Sequence, residues 1–471
     1  EIRKLIHQDN LEIFQNLAQF YLAVQEKTLD NSEQKELINV KIQILRAIGN
    51  LAIDDDEARQ RLLDTGVVSN IIKDLDSKPD LNVMKFMTGC LLNISLGYAP
   101  MRQFMLKENC VSALMNSVNV LNLKNNEMAV YFGLRQLSNL FDEDEGTKLF
   151  AQNYNNLIHL VDIIDFYIKN SGVYDVSILE HTCEILELML TENENYQVKF
   201  VDSQNYLKII NFIRNANDIK ERYSDNEKEF TNICTVIERI IVLISSHDKN
   251  MVLFDEEDFI GDMLSWLAQN EDLQLKSCSA LVLGNLIRSS ENSIKAVEFY
   301  KLHEKIYKIL EIAQDLSIQH AMVGLLKNLS IPAENKETIG KLLFIKLIAP
   351  FLEKFTAPPL QYNTIGVLKH LSNRNEHNAL AICDEKNSMN GILPIVRLKK
   401  AIDKTDNPGI RSEGTRALIN VIKAICNKKD NYEKYSQLLK ENSATEAVID
   451  LVKQTQFIVL QNEGLIALTV L

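Results

Sequence analysis

One recurring phrase constrains this chain more than any other feature. A tight apolar run, readable only as helix, ends on an Asn and passes through a polar elbow into a new helix, as in SALVLGNLIRSSENSIKAV at 279–297. Asn is a poor helix-interior residue, so its return in one slot needs a reason. The slot is filled by Asn50, Asn93, Asn139, Asn285, Asn328 and Asn420. The steps from Asn50 to Asn93, from Asn93 to Asn139 and from Asn285 to Asn328 are 43, 46 and 43 residues. Copies without the Asn fill the gaps, near Met189 and Leu243 and at His370. A further copy, QNEGLIALTVL, runs to Leu471.

A helical period in the low forties is the mark of an armadillo or HEAT array, in which stacked units share one continuous core. It overrides the about three ordinary domains that the length alone implies. Convincing period-2 strand patterns are absent, and the glycines and prolines are too few for a loop-rich β protein. The expected fold is all-α, a right-handed armadillo-repeat superhelix of about nine to ten repeats with the last one truncated. Residues 1–39 read as a helical N-terminal segment, with EIFQNLAQFYLAV followed by a polar stretch from Glu26 to Gln34; the array itself occupies 40–471. Polar composition makes Asn215–Glu229 a candidate mobile loop and Lys386–Asn407 a loosely patterned insert. Glu1 is no initiator, and Leu471 falls inside a helical pattern, so the sequence reads as a piece trimmed at both ends.

Several function classes are disfavoured. There is no phosphate-binding G-x-x-x-x-G-K-[ST], no G-x-G-x-x-G, no G-x-S-x-G and no H-E-x-x-H. The eight histidines lack metal-ligand spacing, and His181 beside Glu180 and Glu184 is the only suggestive cluster. No catalytic residue, metal or cofactor is expected. Seven scattered cysteines without a C-x-x-C pair suit a reducing compartment, and no signal peptide or membrane-length apolar run is seen. A cytoplasmic, monomeric protein is expected. The Asn93-Ile-Ser and Asn328-Leu-Ser tripeptides lie on repeat helices and are discounted as glycosylation sites. A net charge of −13 opposes nucleic acid and anionic membranes and favours a partner with a basic segment.

Two features are candidate binding elements. An Asn ladder on the concave face offers donors and acceptors to the backbone of an extended chain; alternatively, each Asn caps or bonds its own helix turn. Where the Asn is lost, SILEHTCEILELML sets Glu180, Glu184 and Glu187 at i, i+4 and i+7, on one helical stripe, and the next repeat adds Glu238. Like charges so spaced are mildly unfavourable for a helix, and a merely solvated face mixes signs. The runs Asp54–Glu57, Asp142–Glu145 and Asp255–Asp258 are acidic as well, but acidic residues also favour helix starts.

The segments LQLKSCSALVLGNLIRSSENSI, SIQHAMVGLLKNLSIPAENK, APPLQYNTIGVLKHL and VLQNEGLIALTVL resemble consecutive repeats of the SmgGDS family, armadillo-repeat stimulators of nucleotide dissociation and chaperones of small GTPases. ILRAIGNLAIDDDEARQRLL resembles an early repeat, and MLSWLAQNEDLQLK matches the family's segment around Trp266. The resemblance is distant and runs from Val40 to the end. The Asn-, Lys- and Ile-rich composition points to a fungal or protist relative of bud-emergence type. The resemblance implies a cytosolic protein without chemistry of its own. It implies a Rho- or Ras-type GTPase partner with a polybasic, prenylated tail, an acidic patch for that tail, a lipid pocket between helices and a concave surface that loosens nucleotide. The acidic patch would fall on Glu180, Glu184, Glu187 and Glu238, and the groove Asn on Asn285. Two other readings are a nuclear-import adaptor and a non-catalytic scaffold binding an extended peptide. The adaptor needs a Trp ladder, and this chain has one Trp. Catenin-like scaffold grooves are basic, and this chain is acidic.

Overall fold

The structure, a computed structural model, describes residues 11–25, 31–269, 272–427 and 432–470. Parts of the N-terminal segment and of the Glu26–Gln34 stretch, together with Leu471, lie outside the described residues. Helices dominate. Among the described residues there is no strand, only an isolated bridge between Met389 and Ile392. The chain forms two compact units, Glu1–Ile244 and Ser245–Leu471.

Each unit is a stack of armadillo-type repeats, in which two shorter helices precede a long inner one. The inner helices of the first unit are α1 (Asn31–Leu51), α2 (Leu81–Ser95), α3 (Glu127–Leu140), α4 (Val176–Thr191) and α5 (Glu227–Ser246, which runs to the boundary). Those of the second are α6 (Leu273–Leu286), α7 (Leu316–Leu329), α8 (Pro358–Ser372), α9 (Pro408–Asn427) and α10 (Ile458–Val470). Consecutive inner helices pack side by side, α1 to α4 in the first unit and α6 to α10 in the second.

The sequence of α7 shows why. Ile318, Ala321, Met322, Val323, Leu325, Leu326 and Leu329 are buried. They surround most of the helix, because neighbours cover it on two sides. Beyond the exposed first two residues, Leu316 and Ser317, only the stripe His320, Gly324, Lys327 and Asn328 stays partly open, at helical spacing. Such stripes are where an inner helix can meet a partner. The starts of the helices are set by caps. Asp80, Asp175, Asp272 and Asp315 accept hydrogen bonds from first-turn backbone N–H groups of α2, α4, α6 and α7 at 2.9, 2.9, 2.8 and 3.0 Å. Each such cap contributes about 1 kcal/mol.

The acidic runs open helices too. The Asp55 carboxylate caps the helix Asp56–Asp64 through the Ala58 N–H at 2.9 Å. Asp56 pairs with Arg59 at 2.8 Å and Glu57 with Arg61 at 2.5 Å. Glu143 binds Arg102 at 2.9 Å, and Asp255 binds Lys295 at 3.3 Å.

Two expected irregular stretches are mostly helical. Asn215–Glu229 holds the helix Ala216–Arg222, a 3-10 turn at Ser224–Asn226 and the start of α5. Ile219 and Tyr223 are buried, Tyr223 stacks on Phe230 at 6.5 Å, and Arg222 donates to the carbonyl oxygens of Tyr167 and Asn170. One anchor per turn is too sparse to read as a helix in a charged sequence. Lys386–Asn407 holds the helix Pro394–Lys404, with Ile395, Leu398, Ala401 and Ile402 buried. No single helix among the described residues is long and apolar enough to cross a membrane.

Candidate functional site

The ladder asparagines do not share one environment. Asn50 is exposed near the end of α1, and Asn93 on α2 is half-buried. Asn139 on α3 is 8 % exposed and turns back into the stack. Its Nδ2 donates to Ser95 Oγ of the preceding inner helix at 2.8 Å and to Gln136 Oε1 at 3.2 Å. Asn285 donates to Ser245 Oγ at 3.0 Å, and Asn328 donates to the Gly284 carbonyl oxygen at 2.9 Å. Asn420 donates to the Lys369 carbonyl oxygen and to Ser372 Oγ, both at 3.1 Å. Four of the six slots therefore tie one repeat to the one before. That use differs both from holding a bound chain and from capping the residue's own turn.

A second asparagine series lies behind the first. Asn292, Asn335 and Asn378 are buried on the short helices and recur every 43 residues. Asn335 donates to the Leu329 carbonyl oxygen at 2.9 Å, closing the end of α7, and to the Ser293 carbonyl oxygen at 3.1 Å in the repeat before. Asn378 makes the equivalent bonds to Leu371 and Lys336, at 3.3 and 2.9 Å. The equal spacing of this series is legible in the sequence, whereas its bonds to the repeat before are not.

The acidic stripe is a real surface feature of the first unit. Glu184 on α4 is exposed, while Glu180 and Glu187 are partly open. Glu187 is neutralised by a two-pronged pair with Arg239 of α5, at 2.5 and 2.8 Å. Glu184 Oε2 lies 3.2 Å from His181 Nδ1. Burial first, then the neighbouring Glu184, pushes the Glu180 carboxyl above the ordinary range; His181 opposes this and Glu229 adds to it. Glu238, expected on the same surface, is 6 % exposed and belongs to the packed face of α5. Glu229 takes its place at the edge of the cluster, a residue that sequence spacing did not single out. Of the three stripe carboxylates, Glu187 is the one held by an arginine, while Glu184 faces His181 and Glu180 lies beside Glu184.

Trp266 lies in the helix Glu257–Ala268 and is 5 % exposed, so it offers no stacking face to lysine stems. Sequence reading also passed over the cations of the second unit. Lys327 and Lys369 each stand one residue before a ladder slot, and the overall negative charge hid them.

No protein-family profile matches the chain. Over 473 residues it is 25 % identical to the GTPase-GDP dissociation stimulator vimar of Drosophila melanogaster, covering 92 % of this chain and 70 % of that protein. It is 23 % identical over 448 residues to Rap1 GTPase-GDP dissociation stimulator 1-B of Xenopus laevis, covering 91 % and 68 %. Among solved structures, an engineered protein aligns with a TM-score of 0.64 at 16 % identity, over 97 % of this chain and 98 % of that one. A designed armadillo repeat protein aligns over 51 % of this chain and 93 % of its own, at 14 % identity and a TM-score of 0.42. With its stacked repeats and this similarity along nine-tenths of its length, the chain is a distant, SmgGDS-like relative of the GTPase-GDP dissociation stimulators.

Proposed function

We propose that this protein binds small GTPases and acts on them as a dissociation stimulator and chaperone. Its partner is a Rho-type protein with a polybasic, prenylated C-terminal tail, and the tail docks on Glu180 and Glu184 of α4. The observation that carries this reading is the state of Glu180. It is a carboxylate held beside Glu184, with burial and like charge both working against its ionisation. An arriving lysine or arginine relieves that repulsion, so the surface is poised for a cation. The similarity to stimulators of GDP dissociation supports the choice of a GTPase as the owner of the tail. The chain contributes binding and no chemistry of its own, and acts in the cytoplasm as a monomer.

The test is Glu180→Lys/Glu184→Lys. Glu187 is left in place because reversing it would strand Arg239. The variant is expected to keep its fold and to capture a prenylated Rho-type GTPase more slowly. Rim charges act mainly on association, and their effect is screened over about 10 Å at 0.1 M salt. Unchanged association of the double variant at low salt would remove the tail from this surface. Equal affinity for prenylated and unprenylated partner would remove the lipid from the proposal.

A further inference from the structure

The second unit carries a surface of the opposite sign. Lys327 of α7, Lys369 of α8 and Arg416 of α9 stand on the partly open stripes of three successive inner helices. Beside them opens a cleft of about 630 Å³, lined among others by Lys369, Arg374, Arg416 and Lys423. Part of this charge is already balanced. Arg416 holds Glu463 through two bonds, at 2.9 and 3.1 Å, and Glu413 at 2.8 Å, while Lys369 also pairs with Glu413.

The remaining cations have no such partner. Lys327 donates to Asn363 Oδ1 at 3.0 Å, and Lys336 donates to the Asn373 carbonyl oxygen at 2.8 Å. Among the described residues, Lys327, Lys336, Arg374 and Lys423 make no ion pair. Arg374 sits exposed at the cleft mouth in left-handed backbone, with φ of 56°. Burial first, and then Lys369, lowers the basicity of Lys327; burial and Arg374 do the same to Lys336. His370, in the cleft wall, is pushed down to about 4 by burial and then by Lys369, with Lys336 and Lys327 adding to the effect and Glu413 opposing it. The cations therefore crowd one another despite the three carboxylates in their midst, Glu376, Glu413 and Glu463.

We infer that this cationic track across α7, α8 and α9 is a docking site for an extended acidic peptide segment. Charge complementarity selects the sign. The spread over three helices selects a chain over a compact anion. Packed helices lie about 8–10 Å apart, and an extended chain advances about 3.4 Å per residue, so it meets a new rung at roughly every third residue. Glu463 on Arg416 already shows how the cleft grips a carboxylate.

The probe is a fluorescein-labelled peptide about twelve residues long, with Glu at every third position and neutral residues between, titrated with the full chain and read by anisotropy. Binding is expected, and is expected to weaken as salt rises. Arg374→Glu/Lys423→Glu, which breaks no internal ion pair, should raise Kd by about tenfold or more. Lys305→Glu, an exposed cation on the helix Leu302–Ile312, should leave Kd unchanged. No binding by the wild-type chain would overturn the inference, as would equal binding by the double variant with its melting curve intact. Inorganic pyrophosphate displacing the peptide as well as unlabelled peptide does would overturn it too, because the site would then be one for phosphate. Glu180→Lys/Glu184→Lys should leave this titration unchanged, which separates it from the GTPase-tail reading.

Discussion

Asn139 and Asn50 occupy the same slot in the repeat and should behave differently. Asn139 is buried and bonded to Ser95 of the preceding inner helix; Asn50 is exposed. Asn139→Ala should cost about 1 kcal/mol, the net worth of a lost buried hydrogen bond, because Ser95 Oγ keeps its bonds to Gln136 Oε1 and the Leu91 carbonyl oxygen. Asn50→Ala should stay within about 0.5 kcal/mol of the parent. Urea midpoints for the two variants decide this, and equal midpoints would mean that the bond to Ser95 contributes nothing. Glu180 makes a separate prediction. Its folded carboxyl titrates above the unfolded one, so between those two values the folded chain binds more protons, and stability falls as pH rises. Glu180→Gln removes that loss. The variant should be more stable than the parent at neutral pH, and the difference should vanish below the ordinary carboxylate range. A pH-independent difference would contradict the assignment.

At the level of the element, one member of the asparagine series on the short helices, Asn378, packs against a glycine. A Cβ added at Gly340 would lie 1.9 Å from Asn378 Oδ1. Gly340→Ala must therefore push Asn378 away from the Lys336 and Leu371 carbonyl oxygens that it serves. The expected cost is about 1–3 kcal/mol, even though alanine favours helix. Gly261, also in a helix, has nothing within 4 Å of the added Cβ. Gly261→Ala should be neutral or stabilising by about 0.5–1 kcal/mol. The thermal melt of Gly340→Ala should fall, while that of Gly261→Ala should hold or rise. If Gly340→Ala melts like Gly261→Ala, the close approach of the two repeats is not there in solution.

For the whole molecule, the distribution of thiols gives a test of packing. None of the cysteines forms a disulfide. Cys90, Cys110, Cys183, Cys278 and Cys383 are buried, while Cys234 and Cys426 are half-buried. Burial pushes the thiols of Cys90, Cys110 and Cys383 up to about 12, which removes the reactive thiolate at neutral pH. An aromatic disulfide reagent should modify Cys234 and Cys426 first. The other five should react only as fast as the chain opens. A single rate for all seven in the native protein would show that the stacked core is not closed.

The repeat, the helical class and the capped helix starts were legible in the sequence, because they rest on short-range rules. Apolar residues at helical spacing make a helix, Asp at its start caps it, and a fixed period stacks it on its neighbour. The acidic stripe was legible for the same reason, since Glu180, Glu184 and Glu187 lie within two turns of one helix. What the sequence left open depended on residues about forty positions away. Asn139 looks like Asn50 until Ser95 is set beside it. Glu187 looks like Glu184 until Arg239 reaches it, and Glu238 looks exposed until α5 is packed. The helix at 216–222 appears only when Ile219 and Tyr223 find their pocket. The cationic track was invisible in a chain of net charge −13, because charge is summed along the sequence, whereas the field at a surface is set by which few charges the stack brings together.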